Sequence, residues 1–471
     1  MKFISQFSNA TSSQSNVLTD GEHQCAYQDM PSIFDKIQNH LIKNNINTKD
    51  CLAFECENSV PSALLLLYLL EKGDSFLLLP KAPEAQSIPK FCQYRIRTEH
   101  IKDKTAQLNP EQFLHIIKNE KWIGKREIAA QKLYLRTSGS TGFPKMAVHS
   151  HTKLRENVLN CVQRLRLSSN DRIAIPVPIF HMYGLGAAFL PGVAVGASID
   201  LQKGANILRY LQREKAFNPN VVFMTPVFCE TLLKGRKSPR AYKLTVAAGD
   251  RIRGDTFTKY ESLFGCLVPL YGSTEMGAIA AASPDEPSDL RAKIVGKPMS
   301  NVQMRLEKRD EYATKEVGEL WCHHQSGFEG YVDENSEPVN LAQEYQNGWF
   351  RTKDFGRTMP EGSLEVLGRC DHSVNRDGLL VFFAEVEKAI ETIEGIDSAV
   401  VISKGESQRG KRLVAYCVPV KDTNIVETDI RRAIFNLLPR HAIPDTIIVV
   451  NSLPLLPNGK VDRQKLIEQH G

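Results

Sequence analysis

The chain has 471 residues, of which 42% are hydrophobic and 24% are charged, and its net charge is +5. This length is enough for several cores and predicts about three domains. The mildly basic charge is not gathered into a Lys/Arg block or an aromatic-interleaved basic stripe, which argues against a nucleic-acid partner. The longest apolar run, residues 63–70, is far too short to span a bilayer, so we expect no membrane span.

The ten cysteines are scattered without a Cys-x-x-Cys pair, which is typical of proteins in the reducing cytoplasm. The only Cys/His cluster is Cys322-His323-His324. Adjacent residues cannot easily share one zinc ion, and no second pair completes a four-ligand set. We interpret the cluster as a solvated turn or strand end. Residues 1–15 lack the apolar core of a signal peptide, and residues 1–30 are expected to be loosely ordered.

Beyond residue 30 the hydrophobic pattern alternates between helices and strands. Helices are predicted at residues 31–46 and 59–72, and the second lies between buried strands at residues 51–54 and 76–79. Strand, helix and strand in succession indicate a parallel sheet. Further strands are predicted at residues 133–135, 172–177, 221–224, 244–247 and 267–271, and further helices at residues 154–165, near 226 and at 256–264.

The alternation ends near residue 290. Glycines, charged residues and short β-like runs up to residue 368 predict a smaller β-rich subdomain. Helices at residues 385–393 and near 428–438, with strands at 399–402, 413–418 and 446–450, predict an α+β domain at the C-terminus. The fold class is therefore α/β, with a large N-terminal domain of α/β subdomains plus the β-rich subdomain (1–369) and an α+β C-terminal domain (370–471).

A segment rich in small residues follows the strand predicted at residues 133–135. It reads Thr137-Ser138-Gly139-Ser140-Thr141-Gly142, then Phe143-Pro144-Lys145. Small residues let backbone N–H groups point into one concavity, and hydroxyls and a lysine stand beside it, which suits a polyphosphate. It is not a Walker P-loop, because two residues separate Gly142 from Lys145, and Pro144 disfavours a helix directly after the glycines. The alternative is a surface Ser/Gly linker.

Two more segments end predicted strands, where open α/β sheets place their ligands. Tyr271-Gly272-Ser273-Thr274-Glu275 offers an aromatic face for a base, a hydroxyl for a phosphate and a carboxylate for Mg²⁺. Ala247-Ala248-Gly249-Asp250 follows the preceding strand. The first segment could also be an ordinary turn with an exposed glutamate.

Three later segments carry further candidate residues. Thr352-Lys353-Asp354 offers two carboxylate oxygens, which suit a vicinal diol. Gly368-Arg369-Cys370-Asp371 lies close to the predicted domain boundary. Asn458-Gly459 is a tight-turn signal, so Lys460 should project from a loop tip. The plain alternatives are an exposed loop acid at Asp354, a helix cap at Asp371 and a solvated Lys460.

In this order, the segments resemble the signatures of the adenylate-forming superfamily, which comprises acyl- and aryl-CoA synthetases, adenylation domains and luciferases. The resemblance implies that ATP and Mg²⁺ are bound, with Glu275 at the metal, and that Asp371 is the hinge of a mobile C-terminal lid that carries the catalytic Lys460. The implied nucleotide-binding residues are Thr137, Ser138, Gly139, Ser140, Thr141, Gly142, Lys145, Ala248, Gly249, Tyr271, Gly272, Thr274, Asp354 and Arg369.

The sequence departs from the superfamily pattern at three places. Asp250 stands where the superfamily usually has glutamate, and Lys353 replaces the usual glycine of a Thr-Gly-Asp motif. Asn375-Arg376-Asp377 stands where a lysine and small residues are commoner. The last departure concerns thioester formation more than adenylation.

The resemblance implies a reaction in two steps. A carboxylate attacks the α-phosphorus of ATP to give an acyl-AMP, with Lys460 bridging the carboxylate and the α-phosphate. The lid then rotates, and a pantetheine thiol of coenzyme A or of a carrier protein takes the acyl group. No carrier domain is recognisable in the sequence, so a carrier protein is expected to act in trans.

The acyl pocket is expected beside residues 178–186, where His181 stands at the position that gates the acyl site in the superfamily. The Phe-Asp pair that grips the amino group of α-amino acids is replaced by Phe180-His181. An aryl or medium-size acyl carboxylate is therefore favoured over an α-amino acid. A core histidine paired with backbone is the alternative for His181.

Three other functions stay open from the sequence. The chain could be a stand-alone adenylation enzyme that loads a carrier protein rather than a coenzyme A ligase. It could be a non-catalytic nucleotide-binding protein, an alternative supported only by Lys353, Asn375 and Met146. It could be a P-loop kinase, which the spacing between Gly142 and Lys145 disfavours.

Overall fold

The structure is a computed structural model that describes residues 16–46, 51–82, 87–99, 101, 108–124, 130–137, 145–204, 206–307, 317–341, 343–376, 379–407, 410–455 and 461–469. The chain divides into two compact units. The first comprises Met1–Gln303 and His323–Gly348, and the second comprises Met304–Cys322 and Trp349–Gly471. A mobile-domain boundary at residues 369 and 370 stays a prediction.

The strands of the first part of the chain are β1 (Val17–Thr19), β2 (Gln24–Ala26), β3 (Cys51–Cys56), β4 (Phe76–Pro80), β5 (Cys92–Thr98), β6 (Leu114–Lys118), β7 (Lys132–Arg136), β8 (Met146–Ser150), β9 (Arg172–Ile175), β10 (Ser198–Leu201), β11 (Val221–Met224), β12 (Tyr242–Ala248), β13 (Gly265–Ser273), β14 (Gly277–Ala281) and β15 (Lys297–Pro298). The later strands are β16 (Val302–Glu307), β17 (Val317–His324), β18 (Gly330–Val332), β19 (Tyr345–Gln346), β20 (Trp349–Thr358), β21 (Leu364–Arg369), β22 (Ser373–Arg376), β23 (Leu379–Phe382), β24 (Ile396–Ser407), β25 (Gly410–Pro419) and β26 (Thr446–Val449).

The α-helices are α1 (Met30–Lys43), α2 (Val60–Lys72), α3 (Pro110–Phe113), α4 (His151–Leu165), α5 (Leu190–Ala194), α6 (Ile207–Phe217), α7 (Pro226–Gly235), α8 (Gly254–Phe264), α9 (Ser288–Arg291), α10 (Phe383–Glu391), α11 (Glu427–Leu437) and α12 (Arg463–Gln469). A π-helix, Tyr183–Phe189, precedes α5 directly. Every helix predicted from the sequence is present, with its ends shifted by a few residues at most.

The largest sheet of the first unit has the order β15-β14-β13-β12-β11-β9-β10-β1-β2. From β13 to β1 each neighbouring pair is parallel, which confirms the predicted α/β architecture. Met224 lies opposite Ala247, and Ala247 lies opposite Pro269, so these strands end close to one edge of the sheet. Continuous apolar runs form these strands because helices cover both faces of a parallel sheet.

The second sheet of this unit has the order β18-β8-β7-β4-β3-β5-β6. Strands β7, β4, β3 and β5 are parallel, and β8 returns antiparallel to β7. Helix α2 is apolar on all sides and buried from Val60 to Leu70, as expected for a helix inside a core. Ser59 caps it by accepting a hydrogen bond from the amide of Ser62, and Gly73 ends it in a left-handed conformation.

The expectation of loose order for residues 1–30 is wrong for residues 16–30, and residues 1–15 lie outside the described part. Strand β1 pairs in parallel with β10, and β2 pairs with β1. Leu18 is fully buried, and the side-chain Nδ2 of Asn16 donates to the carbonyls of Ser169 and Gly196. Strands of three residues are too short to show the alternation from which a strand is predicted.

The later strands form two five-stranded sheets, β16-β17-β20-β19 with β21 beside β20, and β23-β22-β25-β24 with β26 beside β25. Helices α10 and α11 cover the second sheet through Val386, Ile390, Ile430 and Ile434, which are fully buried. The predicted α+β fold of the C-terminal residues is therefore confirmed. The fully buried Arg376 donates to both carboxylate oxygens of Asp445, at 2.8 and 3.0 Å.

The interpretation of Cys322-His323-His324 as solvated is wrong. The segment does end strand β17, but Cys322 is fully buried and His324 is 5% exposed. Across the part of the chain that the structure describes, no three His, Cys, Asp or Glu side chains are placed to hold a metal ion together. All ten cysteines are described, and each is a free thiol. None of the described helices combines the length and apolar character needed to cross a bilayer.

Gly277 begins β14 with a φ of +65°, and a Cβ atom there would lie 2.5 Å from Oδ1 of Asn157. That oxygen accepts a hydrogen bond from the amide of Ala278. We therefore expect Gly277→Ala to lower the free energy of unfolding by about 2 kcal/mol or more in urea titrations. Gly254→Ala is the control, because open space surrounds this helical position and the change should stay within about 1 kcal/mol. Equal losses from the two substitutions would contradict the steric account.

Candidate active site

The carboxyl ends of the parallel strands of the nine-stranded sheet form the first part of the site. Ala248 is buried at the end of β12, and Gly249 follows it with a φ of +98°. Tyr271 and Gly272 are among the last residues of β13, and residues 274–276 form the turn to β14. The structure thus confirms that the segment ending at Glu275 lies at a strand's carboxyl end, where this class of sheet binds ligands.

The predicted phosphate loop lies between the two strands of a hairpin. The backbone amide and the hydroxyl of Thr137 both donate to the carbonyl of Lys145, at 3.0 and 3.2 Å, and so close the base of the loop. Ser138, Gly139, Ser140, Thr141 and Gly142 lie outside the described residues. Strand β8, and not a helix, follows Lys145, which agrees with the sequence argument against a P-loop.

The turn between β13 and β14 is held by three hydrogen bonds to three successive backbone carbonyls, those of residues 274–276. The first carbonyl accepts from Nε2 of His149 at 2.8 Å, the second from the amide of Phe328 at 2.7 Å, and the third from Nδ1 of His324 at 2.8 Å. His149 lies on β8, directly after the phosphate loop. The turn is therefore hydrogen-bonded to β8, the strand that begins directly after Lys145.

The side chains of the two segments also meet. The hydroxyl of Tyr331 donates to Oε1 of Glu275 at 2.5 Å, and Nζ of Lys145 lies 5.8 Å from the centroid of the Tyr331 ring. A half-buried carboxylate and a cation that contact the same tyrosine suit a metal–polyphosphate ligand. A single carboxylate such as Glu275 fits Mg²⁺, which proteins often hold through one or two carboxylates plus substrate phosphates.

Burial controls the protonation of the side chains that hold the turn. Desolvation lowers the pKa of His149 to about 4, so its ring is neutral at physiological pH. Since the carbonyl of Thr274 can only accept, the proton of this neutral ring lies on Nε2. Burial also lowers the pKa of His324. Burial, and after it the negative charge of Glu275, raises the pKa of Tyr331, which keeps its phenol protonated.

The candidate acyl-gate segment follows β9 at the same sheet edge. His181 is exposed there, with its ring centroid 4.7 Å from that of Phe180, so the alternative of a core histidine is wrong. The hydroxyl of Tyr183 donates to the carbonyls of Met224 and Val246, at 2.9 and 2.8 Å. Tyr183 therefore lies across the carboxyl ends of β11 and β12.

Two buried asparagines fix this segment at both ends. Asn58 accepts from the amide of Ile179 at 2.9 Å and donates to the carbonyls of Ile175 and Val177, at 3.0 and 2.9 Å. Asn157 donates to the carbonyl of Gly186 at 2.9 Å and so ties the π-helix to the same side chain that holds β14. π-Helical turns are rare and are frequent at functional sites.

In the second unit, the two candidate ribose ligands are neighbours. Asp354 on β20 lies opposite Arg369 on β21, and Nη1 of Arg369 lies 3.5 Å from Oδ1 of Asp354. Lys353 has a φ of +62°, in the left-handed region that favours glycine. Lys353 therefore has a backbone conformation that a glycine at this position would adopt without strain. Asp371 lies in a short 3-10 turn after β21, and Lys460 lies outside the described residues.

The sequence analysis missed the residues that orient the candidate site: Asn58, His149, Asn157, His324 and Tyr331. Their partners are mostly backbone groups distant in sequence, so no motif marks them. His324 was considered only as a zinc ligand. The one available signal was a polar residue inside an apolar run, as for His149 in Met146–Ser150.

Comparison with known protein families gives two matches. Residues 52–332 match the AMP-binding enzyme family, and residues 385–460 match the AMP-binding enzyme C-terminal domain. YdaB of Bacillus subtilis strain 168, which carries the name of an acyl–CoA ligase, is 25% identical over 97% of this chain and 96% of its own length. Bacitracin synthase 3 of Bacillus licheniformis is 27% identical over 88% of this chain, which spans 7% of that protein.

Solved structures share the fold over the whole chain. ATP-bound MatB from Rhodopseudomonas palustris has a TM-score of 0.82 at 20% identity, covering 100% of this chain and 99% of that one. o-Succinylbenzoate CoA synthetase (MenE) from Bacillus subtilis, in complex with the acyl-adenylate intermediate OSB-AMP, has a TM-score of 0.79 at 19% identity, covering 99% and 97%. At these identities the likeness establishes the fold alone.

The buried His149 makes stability depend on pH. The unfolded chain protonates this ring near pH 6.5, but the folded chain does so only near pH 4, so the unfolded chain binds more protons between these values. The contribution of His149 to stability is therefore lost as pH falls through this window, by about 2 kcal/mol between pH 7.5 and 4.5. His149→Gln keeps an N–H donor but does not titrate, and should lose correspondingly less stability in urea unfolding at the two pH values.

The control is His115→Gln, because His115 is exposed on β6. This variant should lose as much stability between pH 7.5 and 4.5 as the wild-type protein does. If His149→Gln also behaved like the wild type, the neutral buried state of His149 would be refuted.

Proposed function

The chain belongs to the AMP-binding enzyme family, and from this membership we propose that it activates a carboxylic acid with ATP and passes the acyl group to a thiol. The predicted superfamily and the prediction of an AMP-forming acid–thiol ligase are confirmed at the level of the family. The carboxylic acid, the thiol acceptor and the role of each residue belong to the proposal.

One observation carries the proposal. The segments ending at Lys145 and at Glu275 are far apart in sequence but are joined by the contacts of Tyr331 and by the hydrogen bond from His149 to the carbonyl of Thr274. This junction places a cation, a hydroxyl-bearing turn and a carboxylate together at the carboxyl edge of the sheet. Such a set suits the triphosphate of a metal-bound nucleotide.

In the proposed first step, a carboxylate oxygen bonds to the α-phosphorus of ATP and the bond to the departing pyrophosphate breaks. The protein contributes mainly position and charge. Lys145, Thr137 and the loop between them would bind the β- and γ-phosphates, and Thr274 would lie near the α-phosphate. Lys460 would bring its positive charge to the carboxylate and the α-phosphate.

The remaining nucleotide contacts are proposed for the base and the ribose. Tyr271, with Ala248, Gly249 and Gly272 beside it, would bind adenine, while Asp354 and Arg369 would bind the ribose hydroxyls. Mg²⁺, held through Glu275 and phosphate oxygens, would neutralise the charge that develops on the pyrophosphate.

The second step is proposed to transfer the acyl group from AMP to a pantetheine thiol, after rotation about Asp371 withdraws Lys460. The thiol gives up its proton, the sulfur bonds to the acyl carbon, and AMP leaves as its bond to that carbon breaks. Coenzyme A and a carrier protein present the same thiol, and the relatives named as an acyl–CoA ligase and as bacitracin synthase 3 support one acceptor each. We favour coenzyme A, because YdaB matches this chain over almost the whole length of both.

We propose an aryl or medium-size acyl carboxylate as the substrate. His181 and Phe180 would line the acyl site in place of the Phe-Asp pair that suits an α-amino acid. The Tyr183 ring at the ends of β11 and β12 adds an aromatic wall to this side.

Ten free thiols also support the proposed cytoplasmic location.

The alternatives make different predictions. A P-loop kinase would release ADP, and its loop would lead directly into a helix, whereas here β8 follows Lys145. A non-catalytic protein would bind ATP without releasing pyrophosphate. Lys353 has a backbone conformation that glycine adopts easily, so its presence gives this alternative little support.

The test is a panel of aryl, medium-chain and α-amino acids with Mg·ATP, read by pyrophosphate release and AMP formation, first without and then with coenzyme A or a pantetheinylated carrier protein. At least one aryl or acyl acid should give pyrophosphate, and thioester should appear with one of the two acceptors. If none of the acids gave AMP, or if ADP were the product, the proposal would be refuted.

Lys460→Ala should reduce acid-dependent pyrophosphate release by about 100-fold or more, because it removes a charge expected to act only on the reacting groups. Lys465→Ala is the matched control, because Lys465 is an exposed lysine on α12. Thermal unfolding should be similar for the two variants. Undiminished pyrophosphate release by Lys460→Ala would exclude the catalytic role of Lys460.

A further inference from the structure

We propose that Tyr331 is a positioning residue that orients the Glu275 carboxylate toward the metal ion of a metal-bound nucleotide and keeps Lys145 from pairing with that carboxylate. The inference rests on the proposed function, because it assigns the nucleotide's metal to Glu275. It begins from the two contacts of one side chain, the hydroxyl with Glu275 and the ring face with Lys145.

The backbone around Tyr331 is fixed to the strand that follows the phosphate loop. Strand β18 pairs antiparallel with β8, with Tyr331 opposite Ala147, and the amide of Glu329 donates to the carbonyl of Val148 at 2.7 Å. The Tyr331 ring also packs edge-on against Phe328, with centroids 5.0 Å apart. The ring therefore has little freedom to leave its place between the two candidate motifs.

The same short segment holds Glu275 at both its backbone and its side chain. The amide of Phe328 donates to the Glu275 carbonyl at 2.7 Å, and the hydroxyl of Tyr331 donates to the carboxylate at 2.5 Å. A carboxylate held at one oxygen presents the other in a restricted direction. Such preorganisation lowers the entropic cost of binding a metal ion.

The chemistry of the phenol suits this task. A lysine in direct contact with Glu275 would neutralise both charges before any ligand arrived, yet these two described residues form no ion pair with each other. The ring faces the ammonium of Lys145 while its hydroxyl faces the carboxylate. The carboxylate can only accept, so the phenol hydroxyl is the donor of this bond. Lys145 stays available for phosphate and Glu275 for the metal.

The test compares equilibrium ATP binding by wild-type protein and by Tyr331→Phe, measured by isothermal titration calorimetry with Mg²⁺ and again with EDTA. The substitution keeps the ring and removes only the donor to a charged acceptor. We expect the ATP affinity in Mg²⁺ to fall by about 10-fold and the Mg²⁺ concentration needed for half-maximal binding to rise by about 10-fold. ATP affinity in EDTA should change by less than about 2-fold, because the ring over Lys145 remains.

Tyr331→Leu also removes the aromatic face, so it should weaken ATP binding in EDTA as well as in Mg²⁺. Tyr210→Phe is the matched control, because it removes a buried phenol bonded to Tyr242 near the amino end of β12. That variant should leave the Mg²⁺ dependence of ATP binding unchanged. If Tyr331→Phe left it unchanged too, or made Mg²⁺ bind more tightly, the positioning role would be overturned.

Binding requires no turnover, so this experiment separates the two proposals. If the wild type binds Mg·ATP and Tyr331→Phe shows the expected loss, but no acid yields AMP, the proposed function fails and the role of Tyr331 stands. If acids yield AMP and the Mg²⁺ dependence of ATP binding is the same in Tyr331→Phe, only the positioning role fails. A wild-type protein that binds no ATP in Mg²⁺ would overturn both.

Discussion

The turn between β13 and β14 is the constraint on which the candidate site depends. Three successive carbonyls, of residues 274–276, accept hydrogen bonds from His149, Phe328 and His324. Each donor is buried, and a buried donor without a partner costs more than the bond itself contributes. The turn therefore cannot move without leaving several of these groups unsatisfied. This couples the position of the Glu275 side chain to the stability of the surrounding core.

Buried polar side chains also hold the acyl-gate segment in place. Asn58 and Asn157 each bond backbone groups of more than one element, and between them they fix both ends of the segment that carries His181. Polar side chains inside a core are costly unless they are fully bonded, but once bonded they specify one arrangement. The charged or titratable side chains with proposed chemical roles, Lys145, Glu275 and His181, are thus half-buried or exposed. The buried asparagines hold the backbone around the last of these.

Sequence reasoning succeeded where the signal was local. Continuous apolar runs such as Val221–Met224 mark buried strands, and their alternation with helices predicts a parallel sheet whose carboxyl edge collects the candidate residues. It failed for β1 and β2, whose three residues show no period. It also failed for Tyr331, because its partners become neighbours only after the chain has folded. The φ of Lys353 belongs to the same class, since a lysine gives no sign of a left-handed backbone.

The π-helix Tyr183–Phe189 lets the acyl-gate segment carry one extra residue without disturbing the elements around it. Its i→i+5 bonding accommodates one residue more than an α-helical turn of the same rise would. Deleting a single residue there would leave an ordinary α-helical turn, with His181 and α5 still in phase with each other. The same deletion inside a regular α-helix would rotate everything before it by about 100° around the helix axis. The π-helix is thus a point at which related chains could lose a residue and reshape the acyl site while the sheet stays in place.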